Sequence, residues 1–452
     1  MAVSPFSDGT PAASQWPIPP NHFFDYELET VVGMAGTYFY HSHVGFQAVT
    51  AAGPLIVEDA AKAPYDYDEE RLIAFSDIFE KTDAEIESGL LGNPFVWSGE
   101  TANVLVNGKG QMPGSTPSPD CELASIEVEP EKTYRFRFIG GTALSFVTLG
   151  FEDHDEFTII EADGAYTKPV KTSYLQIGSG QRFSVLFRTK PLRELSKNQF
   201  FMQIETRDRP TLTRSYAVLN YRYKGSRTRR SPLPTEPPLT LPPTTLGWLD
   251  YQLESLLPDP DFPLSTEVTR RITIRTHQII GAGTIVWAQD STPWVDTFPA
   301  EPYLVSLYKN DGMEFPSYER ALLNEGIDPE TKAFPVRIGE VIEVVIQNTG
   351  SDVASLDVHP FHAHGSHYWD LGSGDGTYDP VKNEERVKGV QLVRRDTTML
   401  YKYGEKVAPG EDMGWRAWRL RASEPGVWMV HCHILQHMIM GEFVAPTQGD
   451  DY

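Results

Sequence analysis

Cysteine is almost absent: Cys121 and Cys432 are the only two in 452 residues, which excludes a disulfide framework. Long apolar runs are missing too, because His, Arg or Gly interrupts each stretch before it reaches the length of a membrane span. Positive charge is scarce. With 39 Lys and Arg against 62 Asp and Glu, the net charge of −23 argues against nucleic acid or an anionic membrane surface as partner. The opening MAVSPFSDGTPAASQWPIPP has no apolar core of a secretory signal. No Asn-x-Ser/Thr acceptor occurs anywhere.

What is abundant is turn and strand chemistry. The chain holds 36 Gly, 35 Pro and 12% aromatic residues, which favours short strands joined by many turns. Its length suits two or three domains. The runs 23–30 (FFDYELET), 134–139 (YRFRFI), 182–187 (RFSVLF) and 340–347 (EVIEVVIQ) read as strands. Helical signals are confined to 318–325 and the stretch after His433. Many short strands with frequent turns argue for an all-β chain of sandwiches. The Pro-rich stretch 224–263 reads as a connection, and a shorter break falls at 60–68. The tail FVAPTQGDDY shows no clear closing strand.

The chain repeats itself. FDYELETVVGMAGTYFYHSH (24–43) and WRAWRLRASEPGVWMVHCH (415–433) share an aromatic strand, a Gly, four residues and His-x-His. VEPEKTYRFRFIG (128–140) echoes VRIGEVIEVVIQNTG (336–350) in the same way. Such similarity points to duplicated domains of one type.

Eight of the twelve histidines fall into three clusters: His41/His43, His359/His362/His364 and His431/His433/His437. A lone strand histidine is usually just a hydrogen-bonded residue, but clustering of this kind marks a metal site. Alternation along a strand sends His41 and His43 to one face. The same rule sends His431 and His433 one way and Cys432 the other. One short segment then carries ligands for two sites back to back, a through-bond wire from a thiolate site to an imidazole site. Two imidazoles, one thiolate and a weak axial group are the blue-copper donor set, which Cys432, His437 and His359 fit. Zinc is the competitor, although its structural sites usually draw on paired cysteines.

The motifs HSH (41–43), HPFHAHG (359–365) and HCHILQHMIMG (431–441) resemble three of the four copper signatures of multicopper oxidases. RRDTTMLYKYG (394–404) and SQWPIPPNHFFDYEL (14–28) are most similar to the fungal ascorbate-oxidase-like branch of that laccase and ascorbate-oxidase family. The resemblance implies three cupredoxin-like Greek-key β-sandwich domains. Residues 1–62 would be the remnant of the first, 68–223 the second, 224–264 the linker and 265–452 the third. It implies type 1 copper on His359, Cys432 and His437, and type 2 copper on His362. It also implies one type 3 copper on His43, His364 and His431, and the other on His41 and His433. His437, Cys432, His431 and His433 would be catalytic as the electron path. The partners implied are a small reductant and O2, and the implied location is extracellular.

Departures from the family bear on function. The fourth signature, His-Trp-His-Gly, is absent. By the internal repeat its place would fall upstream of Met1, as a late start codon or a truncation would leave it. DGT at 8–10 echoes DGT at 375–377. Glu442 stands where the branch usually has an axial Met. Cys121 reads as a buried thiol, and the cysteine near the N-terminus that would bond to it in the family is not present. The implied reaction is oxidation of an ascorbate-like enediol or a phenol coupled to reduction of O2 to water. A phenol-coupling tailoring oxidase is the alternative within that class. A copper-binding protein without turnover is the alternative outside it, and ligand counting leads us to expect type 1 copper but little oxygen consumption. A two-domain nitrite reductase fits poorly, because HSH and HCH lie in widely separated domains.

Overall fold

The computed structural model describes residues 4–112, 121–226, 232–281, 283–290, 293, 301–309, 315–351, 353, 355–404, 407–444 and 446–448. Strands dominate. The described helices are short, the longest being Asp83–Leu90 and Pro380–Val387. The class is all-β, with strand orders that cross over as Greek-key sandwiches require.

The strands fall into three groups. Gly36–His41 and Ala52–Val57 form a two-stranded antiparallel sheet. In the next group a five-stranded and a six-stranded sheet enclose one aromatic core. Strand Thr133–Gly140 shows how the sequence dictates this: Tyr134, Phe136 and Phe138 enter the core. Arg135 and Arg137 point the other way, to Glu161 and Glu70. Each fully buried Phe contributes roughly 1.5–3 kcal/mol. In the last group a six-stranded sheet, built around Val341–Thr349 and Asp412–Arg421, is covered by a four-stranded and a three-stranded sheet. Strands His359–Ala363 and Val430–Cys432 are neighbours in the four-stranded sheet, with His362 opposite His431.

Most expected elements occupy their places: Arg182–Arg188, Val341–Thr349, Tyr318–Leu322 and Leu435–Ile439. Three expectations need correction. Residues 23–30 form no strand but run over the surface, with Phe23 85% exposed. Among the described residues the stretch pairs with no strand and carries only an isolated bridge at Leu28. Two His-x-His pairs also outrun their strands, which end at His41 and Cys432. The C-terminal stretch does pair: Phe443–Val444 joins Val430–Cys432, and Pro446–Gln448 joins both Phe334–Val336 and Gly426–Val427. Its Pro concealed this, since Pro is tolerated at the first residue of a strand.

The described part of the Pro-rich stretch, 232–263, contains neither strand nor helix. No disulfide joins the two cysteines; the Cys121 thiol lies 3.4 Å from the Gly110 carbonyl oxygen.

Candidate metal centres

The loop after strand Val430–Cys432 turns back on itself. The Cys432 amide donates to the Glu442 carbonyl at 3.2 Å and the Glu442 amide to the His437 carbonyl at 3.0 Å. The one-turn helix Leu435–Ile439 between them delivers His437. Cys432 Sγ lies 3.6 Å from His437 Nδ1, which is 3.2 Å from His359 Nδ1. Strand His359–Ala363 supplies His359 from its first position, two residues before Phe361, which is the register partner of Cys432. Trp287 walls the group, 4.6 Å from the His359 ring and 4.7 Å from the His437 ring by centroids. Glu442 stands 2.8 Å from His359 Nδ1 and 3.2 Å from His437 Nδ1, and accepts from Thr276 Oγ1 at 2.6 Å. All four donors are buried.

Their protonation follows from that burial. It pushes the Cys432 thiol well above its ordinary range, and the Glu442 charge adds to the effect. Burial also works against the Glu442 carboxylate, but His359 and His437 overcome it and bring the group down to about 2. Without a metal this is a thiol beside a carboxylate and two imidazoles. Metal binding there must displace the thiol proton.

Behind Cys432 lies the second group. His364 Nε2 is 3.2 Å and His43 Nε2 is 3.4 Å from His431 Nε2. The rings of His41 and His433 are 4.9 Å apart, and those of His362 and His364 4.8 Å. The ring nitrogens show a common pattern. Nδ1 of His41 meets the Ser42 carbonyl at 2.8 Å, that of His362 the Asp396 carbonyl at 2.9 Å, and that of His431 the Cys432 carbonyl at 2.9 Å. Nδ1 of His433 meets Ser179 Oγ at 2.8 Å, and that of His364 meets Asp8 at 3.0 Å. Five outward nitrogens are thus held, which leaves five Nε2 atoms for the shared space. That is the way metal-binding imidazoles are oriented. Burial lowers the pKa of His41, His43, His362 and His433, and brings His431 to about 3. These rings are therefore neutral, the ligating form. A cavity of about 480 Å³ opens onto His41, His43, His362, His364 and His433.

The donor sets suit copper. Two imidazoles and a thiolate match one kind of copper site, here with the Glu442 carboxylate beside them, and imidazole alone matches another. All nine residues singled out from the sequence fall in one or other group. Sequence reasoning did not single out Ser179, Asp396, Asp357 or Trp287. Asp8 was visible only as part of the DGT echo, and Asp396 only inside RRDTT. His437 is buried, with its Nε2 3.5 Å from Asp357 Oδ2, and Asp357 pairs with Arg209 at 2.5 Å.

Family models described as multicopper oxidase match residues 1–62, 69–226 and 298–449. The chain is 47% identical to the laccase-like multicopper oxidase 1 of Thermothelomyces thermophilus, over 99% of this chain and 77% of that protein. It is 32% identical to the L-ascorbate oxidase of Cucumis sativus, over 99% and 78%. The laccase of Botrytis aclada superposes with a TM-score of 0.74 at 21% identity, covering 99% of this chain and 76% of that one. That likeness shows the cupredoxin-like sandwich fold.

Proposed function

The chain belongs to the multicopper oxidase family of copper-dependent oxidoreductases, and we propose that it oxidises a small enediol or phenol one electron at a time and passes the electrons to O2. In this reading His359, Cys432 and His437 hold one copper, and His41, His43, His362, His364, His431 and His433 serve the oxygen-reducing cluster. The observation that carries it is the segment 431–433, which sends Cys432 to one group of donors and His431 and His433 to the other. Copper at such ligands supplies one-electron redox chemistry.

The chain's own residues do the rest. Trp287 and the buried strands keep water from Cys432. In this reading electrons enter through His437, and the Asp357 carboxylate 3.5 Å from its Nε2 is the polar group beside that ring. Asp8, Ser179 and the Asp396 carbonyl hold imidazoles in orientation. An extracellular location accompanies this reading.

A copper protein that accepts electrons without sustained oxygen reduction is the alternative reading. Anaerobic mixing of copper-loaded protein with ascorbate or a phenol distinguishes them. Bleaching of the blue thiolate band followed by prompt recovery in air is the outcome expected of the oxidase. Bleaching with no prompt recovery would select the second reading, and failure to bleach would contradict both.

A further inference from the structure

Glu442 closes the thiolate group from its fourth side. One donor atom from each of Cys432, His359, His437 and Glu442 lies within 4.8 Å of the other three, and all four residues are buried. His437 Nδ1 is 3.2 Å from the Glu442 carboxylate, 3.2 Å from His359 Nδ1 and 3.6 Å from Cys432 Sγ. A tetrahedral ion with metal–ligand bonds of about 2.0–2.3 Å sets its donors roughly 3.3–3.6 Å apart. The carboxylate therefore stands at the spacing of a full ligand, closer than a weak axial group.

Its orientation is fixed from behind. Thr276, fully buried, donates from Oγ1 to Glu442 Oε1 at 2.6 Å. That leaves Oε2 to the imidazoles, 2.9 Å from His359 Nδ1 and 3.2 Å from His437 Nδ1. Carboxylates that ligate metals are themselves held by hydrogen bonds of this kind. Charge adds a preference. Thiolate and carboxylate together carry two negative charges, so a divalent ion leaves the buried site neutral and a monovalent ion does not. Uncompensated charge in the interior is costly. Asp357, the other acid beside His437, is already paired with Arg209.

We propose that Glu442 is a fourth ligand, positioned by Thr276, which makes the thiolate group a closed tetrahedral site that favours divalent ions, zinc and cobalt included, over Cu(I). The proposal rests on the reading of His359, Cys432 and His437 as metal ligands. Binding releases the Cys432 thiol proton and involves no electron transfer.

Cobalt is the probe, because a thiolate-to-cobalt charge-transfer band reports Cys432 and the visible d–d bands report coordination number. Anaerobic titration of the full chain with Co(II) should give that band, absent from Cys432→Ser, together with the strong d–d absorption of a four-coordinate ion. Zn(II) should displace the cobalt. Thr276→Val should weaken Co(II) and Zn(II) by roughly 10-fold, the low end for loss of a ligand's hydrogen-bond partner, and Glu442→Leu should weaken them further. In both variants the affinity for Cu(I), read by displacing the cobalt with chelator-buffered Cu(I), should hold. Undiminished divalent affinity in Glu442→Leu would overturn the ligand role, and so would an equal loss of Co(II) and Cu(I), the mark of a merely structural part. No thiolate-to-cobalt band in the wild type would instead refute the thiolate site itself, and the role of Glu442 with it.

Discussion

Glu442 is the residue that most distinguishes the thiolate site. It is fully buried, ionised, and within hydrogen-bond reach of both His359 and His437. A carboxylate so close favours the more highly charged copper ion, because Coulomb attraction is weakly screened in the interior. Glu442→Met should therefore raise the reduction potential in a spectroelectrochemical titration; an unchanged or lower potential would mean that the carboxylate does not act on the metal. On the other side, Ser179 is the sole hydroxyl meeting His433 Nδ1 among the described residues. Loss of such an orienting partner typically costs 10–100-fold in metal affinity. Ser179→Ala should weaken copper at the imidazole cluster by roughly that factor in chelator competition, and leave the blue band intact. The clustered histidines were legible because their spacing within each motif is short. Ser179 was not, because it lies 254 residues from its partner in sequence and a lone Ser carries no pattern.

The element that holds the first histidine pair in place is strand Gly36–His41, and its anchor is a buried ion network. Glu161 accepts from the Thr37 amide at 2.6 Å and from Arg135 at 2.6 Å, and Arg182 Nε donates to the Thr37 carbonyl at 3.1 Å. Removing one member of a buried pair strands the other charge and costs about 3–5 kcal/mol. Glu161→Gln should destabilise by that order in denaturant melts and speed amide exchange along 36–41. Burial acts to raise the Glu161 pKa, but Arg135, Ser184 and Thr37 outweigh it and hold the carboxyl below its ordinary 4.5. The unfolded chain takes up this proton first as pH falls. The stabilisation is therefore present above about pH 4.5 and fades as pH drops through the lower folded value. Acid melts of wild type and Glu161→Gln should converge; parallel curves would contradict the assignment. At this scale the sequence was readable where alternation was buried on both sides, as in 134–139 and 182–187. It misled at 23–30, where the same alternation lies on the surface, and at 446–448, where pairing depends on distant strands.

Across the whole molecule, function gathers at seams. His41 ends a strand of the two-stranded sheet and His43 lies just beyond it, Ser179 comes from the middle sandwich, and the remaining donors come from the last one. The segment Cys432–Glu442 also donates the Leu435 amide to the Ala143 carbonyl at 2.9 Å, so the thiolate site is fastened to the middle sandwich as well. Repeats in the sequence announced duplicated units, but which faces would meet depended on contacts such as His364 with Asp8. The central claim is that one three-residue segment serves two copper environments. It is tested most directly by optical and copper-content measurements on copper-loaded wild type and Cys432→Ser. The account predicts an intense blue thiolate-to-copper band in the wild type. In Cys432→Ser it predicts total loss of that band, with copper at the imidazole cluster retained. A colourless Cu(II)-loaded wild type, or a band that survives the substitution, would contradict it.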